Sequence, residues 1–221
     1  MVRFGVVCEG STDFVSFRAL LEKIANSKGL AIELHAIQPK VDASSKQISG
    51  GGWTRVEQWC KSNSGKNLHL VLKPNLFSSS PTYDALLVHV DGDVLFFSKY
   101  FSPIVRAQCF GDTAQHAVTV ENWLEQILKP PGSLDDQIVY AVPVMQTESW
   151  LVSAILERPA RKSPEMRPAK RASRRMLRAK FGGDDVDAAT KAAAILAERL
   201  QDLRNVLPSL DHFTTKLENF V

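Results

Sequence analysis

Five carboxylates stand where apolar runs of this chain give way to turns: Glu9, Asp13, Asp91, Asp93 and Glu148. The first apolar run, Val2 to Cys8, stops at Glu9. Gly10, Ser11, Thr12 and Asp13 follow, and then Phe14, Phe17, Leu20, Leu21 and Ile24 recur at helical spacing. A second run, Ala85 to Val90, ends in Asp91-Gly92-Asp93. A third, Gln137 to Val144, leads to Thr147 and Glu148. Acids at the carboxyl ends of strands in an alternating β/α chain can face one crevice. Clustered carboxylates repel each other, and a hard divalent cation such as Mg²⁺ relieves the repulsion. The chemistry indicated is therefore a divalent-metal site. Asp91 and Asp93, two residues apart around a glycine, are the leading ligands. Glu9 reads as a ligand or a proton-transfer group. Each residue also has a plainer explanation. Asp-Gly pairs make turns, an acid in a first helical turn is favoured by the helix dipole, and Glu148 after Thr147 suits a cap. His89 should point away from Val90 and reads as a satisfied structural histidine.

Positioning these acids requires strands that end together. Val2 to Cys8 reads as a strand, with Ser11 or Thr12 capping a helix that ends near Asn26 to Gly29. Ala31 to Ile37 reads as a second strand. A polar, glycine-rich loop is expected at 39–52, a helix at Trp53 to Lys61, a short strand or helix end at Leu68 to Leu72, and a serine-rich loop at 74–82. Ala85 to Val90 is continuously apolar, as a strand covered on both faces should be. Thr113 opens a helix that stops at Pro130-Pro131-Gly132. After the strand at 137–144 comes a helix from Glu148 to Leu156. Three prolines in 159–168 mark a linker. Helices follow at 169–181, 188–206 and 210–221. The alternation predicts an α/β fold: a mainly parallel, Rossmann-like sheet with helices on both faces and a C-terminal helical extension.

The 221 residues are 44% hydrophobic and 23% charged, ordinary for a globular chain able to bury a core. No apolar stretch has the length of a membrane span, and the first residues read as a strand rather than a signal peptide. Cys8, Cys60 and Cys109 lack metal or redox spacing, so a cytoplasmic protein is expected. No GxxxxGK[ST] pattern is present, which argues against a self-contained ATPase. The net charge of +3 is unevenly spread. Residues 158–180 carry ten Lys or Arg against one acid, leaving −6 for the remainder. Lys170, Arg171, Arg174, Arg175 and Arg178 recur at three and four, a spacing that can line a helix and track a phosphate backbone. Such a helix can equally dock an acidic partner or face solvent.

Glu9-Gly10-x-Thr12-Asp13 followed by Asp91-x-Asp93 resembles the Toprim signature of topoisomerases, bacterial primases, OLD-type nucleases and ribosomal-RNA maturases. Val142-Pro-Val-Met-Gln-Thr-Glu148-Ser-Trp150-Leu151 extends the resemblance to small standalone Toprim-like proteins of prokaryotes, often encoded beside ATPases. The likeness spans roughly residues 1–155. It implies a Toprim-like domain over 1–157; it does not assign the tail, which reads from its own charge and helical periodicity as a basic linker and C-terminal helical extension over 158–221, packed on that domain. It further implies a Mg²⁺- or Mn²⁺-dependent nuclease cutting DNA or RNA. Glu9, Asp91 and Asp93 would be catalytic, with Glu9, Asp13, Asp91, Asp93 and Glu148 as the metal set. A setting in defence against phage or plasmids, and an ATPase partner, also come from the resemblance. The alternative is a non-catalytic subunit that docks an ATPase or nucleic acid through its basic segment. Two features depart from the pattern. The interval from Glu9 to Asp91 is longer than in a compact Toprim core, and Asp93 runs into Val94-Leu-Phe-Phe97 instead of a polar loop.

Overall fold

Continuous apolar runs become strands here because both faces of the sheet are covered. A computed structural model of the chain describes residues 1–38, 52–73, 81–110, 112–156 and 170–220. The strands are β1 (Val2–Val7), β2 (Ile32–Gln38), β3 (Ala85–His89) and β4 (Ile138–Ala141). All pairings are parallel, in the order β2-β1-β3-β4. The α/β class and parallel sheet are as expected. The loop at 39–52 lies outside the described residues apart from Gly52, as does most of that at 74–82. The linker at 159–168 lies outside them entirely.

Helices cover both faces of the sheet. Phe4, Val6, Ala85, Leu87, Val139 and Ala141 point to one core, closed by α1 (Ser11–Ser27), α7 (Thr147–Ile155), α8 (Lys170–Phe181), α9 (Asp185–Glu198), α10 (Leu200–Arg204) and α11 (Pro208–Phe220). Val7, Leu86, Val88, Ile138 and Tyr140 point to the other. That face is closed by α2 (Trp53–Ser62), α3 (His69–Leu72), α4 (Val94–Phe97), α5 (Pro103–Cys109) and α6 (Thr113–Leu128). The alternation along each strand sends successive residues to opposite cores.

Several local readings change. Gly10, not Ser11 or Thr12, occupies the cap position of α1, and no side chain caps that helix. Residues 65–72 are helical, a 3₁₀ turn leading into α3. The single helix read at 188–206 is two, α9 and α10. It begins earlier because Asp184 Oδ1 accepts from the N–H groups of Val186 and Asp187, at 2.8 and 2.9 Å. The C-terminal helices share a core with the sheet. Phe213 of α11 stacks on Trp150 of α7 at 6.0 Å and meets Phe17 of α1 edge-on at 5.6 Å. Trp150 Nε1 donates to Ser209 Oγ at 3.0 Å. Such aromatic pairs contribute about 0.5–1.5 kcal/mol each beyond the area they bury.

Candidate metal centre

The chain leaves β1 toward β2 on one side, while β3 and β4 extend the sheet on the other. The crevice outside the carboxyl ends of β1 and β3 is thus the switch point, where open α/β sheets take ligands. Glu9 follows β1, Asp91 follows β3, and Thr147 and Glu148 open α7 after β4. The two strand ends meet: the Asp91 N–H donates to Glu9 Oε1 at 2.7 Å. Asp91 Oδ1 accepts from the Thr147 N–H at 2.9 Å and from Thr147 Oγ1 at 3.2 Å.

The turn carrying Asp91 is fastened to the segment after β4. Gly92 N–H donates to Pro143 O at 2.9 Å and Asp93 N–H to Met145 O at 3.1 Å. A Cβ at Gly92 would collide with the carbonyl oxygens of Pro143 and Val144, so only glycine fits there. From the other core, His116 Nε2 lies 2.7 Å from Gly92 O.

His89 belongs to this centre, which the sequence reading missed. Its Nδ1 donates to Ala141 O at 2.8 Å, satisfying one nitrogen as expected. Its Nε2 faces the acids, 3.7 Å from Asp13 Oδ1 and 3.6 Å from Asp91 Oδ1. The available signal was strand parity: His89 and Asp91 are two residues apart, on the side opposite Val90. One ligand atom from each of Asp13, His89 and Asp91 lies within 4.8 Å of the others, and all three residues are buried. This group could hold a metal ion. Glu9 adjoins it through Asp91. Glu148 is buried beside it, and Asp93 is half-buried at the start of α4.

Two cations of the basic helix reach into the crevice. Lys170 Nζ lies 2.5 Å from Asp91 Oδ2 and 4.0 Å from Glu148 Oε2. Arg174 Nε donates to Glu148 Oε1 at 2.7 Å, and Arg174 Nη1 lies 3.6 Å from Asp185. Arg178 pairs with Asp185 at 3.3 Å, while Arg171 and Arg175 are exposed. The five basic residues grouped from spacing therefore divide between crevice and surface. A cavity of about 370 Å³ opens here, lined by Glu9, Thr12, Asp13, Lys170 and Arg174 among others. A larger cleft of about 450 Å³, beside β4, α6 and α11, shares no residue with it.

Burial and the Asp91 charge push the Glu9 carboxyl up to about 8. Burial raises Asp93 to about 6, again helped by Asp91. Burial raises Glu148 to about 7, with Lys170 working against it. Asp13 goes the other way: burial opposes its charge, but His89 and Lys170 prevail and lower it to about 2. Burial likewise opposes charging of His89, yet Asp13, Asp91 and Glu9 lift it to about 9. The same acids hold the Lys170 ammonium well above its usual range despite burial.

A metal ion could be held by this donor set. Both oxygens of Asp13, and Glu148 Oε2, are buried without a hydrogen-bond partner among the described residues. Buried polar atoms are normally hydrogen-bonded; these three carboxylate oxygens have charged neighbours only at longer range, with His89 Nε2 3.7 Å from Asp13 Oδ1 and Lys170 Nζ 4.0 Å from Glu148 Oε2, which leaves them open to a further ligand. Comparison with protein-family models, curated proteins and solved structures finds no match.

Proposed function

We propose that this protein is a Toprim-type phosphodiesterase of the cytoplasm, using Mg²⁺ or Mn²⁺ to hydrolyse DNA or RNA. The observation that carries the reading is the junction of Glu9 and Asp91 at the switch point, with the orphaned oxygens of Asp13 and Glu148 beside it. Asp13 and Asp91 would hold the metal, with Glu9, Asp93 and Glu148 completing its surroundings. Bound there, the metal would lower the pKa of an attacking water and offset phosphate charge. Glu9, its carboxyl pushed up to about 8, is suited to passing a proton at Oε2, since Oε1 accepts from the Asp91 N–H. Lys170 and Arg174 would turn from the acids to the phosphate oxygens of a bound strand. The Toprim resemblance adds a role in defence against phage or plasmids beside an ATPase.

The test is Mn²⁺-dependent cleavage of labelled oligonucleotides. Asp91→Asn and Glu9→Gln proteins, folded by circular dichroism, should lose about 10²-fold or more of the activity. A wild-type protein that neither binds Mn²⁺ nor cuts any nucleic acid would end the enzymatic reading. One observation favours the second reading, a non-catalytic docking subunit: Lys170 already supplies a countercharge to Asp91. In that case Arg171→Glu with Arg175→Glu abolishes partner capture, and Asp91→Asn does not.

A further inference from the structure

Asp93 is followed by apolar residues where a metal-site loop would be polar, and the structure shows where they go. Val94 and Leu95 of α4 are buried, but Phe97 is 73% exposed. Three more large apolar side chains open to solvent within the next thirteen residues: Tyr100 at 49%, Ile104 at 70% and Phe110 at 73%. Exposed apolar side chains concentrated in one short segment make it a candidate contact surface. The segment 97–110 carries Lys99 and Arg106 and no acid. Lys99 Nζ stands 6.0 Å from the Tyr100 ring. Lys61 of α2, itself paired with Glu57, donates to Tyr100 Oη at 3.0 Å and lies 5.3 Å from the ring. Arg106 Nη2 donates to Ser98 O at 2.7 Å, fixing α5 against the residue after Phe97.

From this we infer that the substrate is a single-stranded nucleic acid, whose bases stack on Phe97 and Phe110 as its backbone runs past Lys99 into the acidic crevice. The inference rests on the nuclease reading for its direction, because Phe97 lies one helical turn beyond Asp93. The choice of single strand follows from the aromatic faces. A duplex presents base faces only at its ends, whereas every base of a single strand can stack on a ring. Lys61 is neutralised by Glu57, but Lys99 and Arg106 stand in the segment without an acid of their own there, which suits a polyanion.

The experiment is fluorescence anisotropy in EDTA, so that no strand is cut. The probes are labelled oligothymidylate and oligouridylate of about 16 nucleotides, and a closed hairpin duplex of the same charge. Wild-type protein should bind the single strands more tightly than the hairpin. Phe97→Ala and Phe110→Ala should each weaken single-strand binding about tenfold, with no change for the hairpin, and Phe97→Trp should restore it. Both side chains are largely exposed, so their loss leaves the core intact. Equal affinity for hairpin and single strand, or Ala variants that bind single strands like wild type, overturns the inference. So does a dimer in sedimentation that Phe97→Ala dissolves, since a second copy would then cover the surface. Single-strand preference without cleavage in Mn²⁺ leaves this surface standing and removes the nuclease reading. Cleavage indifferent to strandedness does the reverse.

Discussion

Asp91 is held from every direction a small turn allows: its N–H by Glu9, one oxygen by Thr147, the other by Lys170. A buried carboxylate fixed this tightly is prepared for a ligand, because its orientation is settled before the ligand arrives. The glycine beside it makes this arrangement feasible. A methyl group at residue 92 would strike the carbonyls of Pro143 and Val144, so the turn and the segment after β4 would have to separate. Gly92→Ala should therefore destabilise the fold by about 1–3 kcal/mol and abolish Mn²⁺ binding. Thermal melting and titration calorimetry read the two effects. A variant that matched wild type in both would show the close approach to be unimportant.

At the scale of elements, α8 is the unexpected participant. Its sequence reads as a uniform basic helix. In the fold its inner positions, Lys170 and Arg174, turn to the acids, and Arg171 and Arg175 stay outside. In the metal-free protein Lys170→Met would leave buried Asp91 with His89 alone, among the described residues, as a positive neighbour. Because Lys170 keeps 31% exposure, the loss should be roughly 2 kcal/mol, below the ~3–5 kcal/mol of a fully buried pair. The same variant should bind Mn²⁺ more tightly, since no ammonium competes for Asp91. Weaker binding would instead make Lys170 a support of the metal position. This helix also shows where sequence reading stops. The strands and their acids were legible because a buried strand must be apolar and a carboxylate at its end is conspicuous. Glu9 and Asp91 could be paired in advance for that reason. The ends of helices were less legible: α1 starts from Gly10 without a side-chain cap, and α9 starts at a cap, Asp184, that lies within a glycine-rich break. What α8 contacts depends on how the chain returns to the sheet across 157–169, and no local pattern encodes that path. His89 was read as a structural histidine because a histidine in an apolar run reads as packing until its neighbours are known.

For the molecule as a whole, the crevice sets how stability responds to pH. Glu9, Glu148 and Asp93, raised to about 8, 7 and 6, keep protons in the folded metal-free chain that the unfolded chain has already released. Their contribution is full below their unfolded values and is lost as pH climbs through the folded ones. His89, raised from 6.5 to about 9, acts with the same sign across that higher window. Asp13, lowered to about 2 from 3.8, matters only in stronger acid. The Tm of the metal-free protein should therefore fall steadily from about pH 5 to 9, and saturating Mn²⁺ should flatten the slope. Calorimetric scans in EDTA and in Mn²⁺ decide this, and a metal-free Tm independent of pH would contradict it. No helix among the described residues is long and apolar enough to cross a membrane. One further consequence follows from Phe213 stacking on Trp150 while Phe17 packs at 4.7 Å on His89. During synthesis, β1, β3 and the acids Glu9, Asp13, Asp91, Asp93 and Glu148 emerge from the ribosome before α8 and α11 exist. A nascent chain has these carboxylates and His89 but neither Lys170 and Arg174, which balance them from α8, nor Phe213 behind them. The charge balance and the aromatic backing of the crevice are therefore both completed only by residues 170–220, the last part of the described chain to be made.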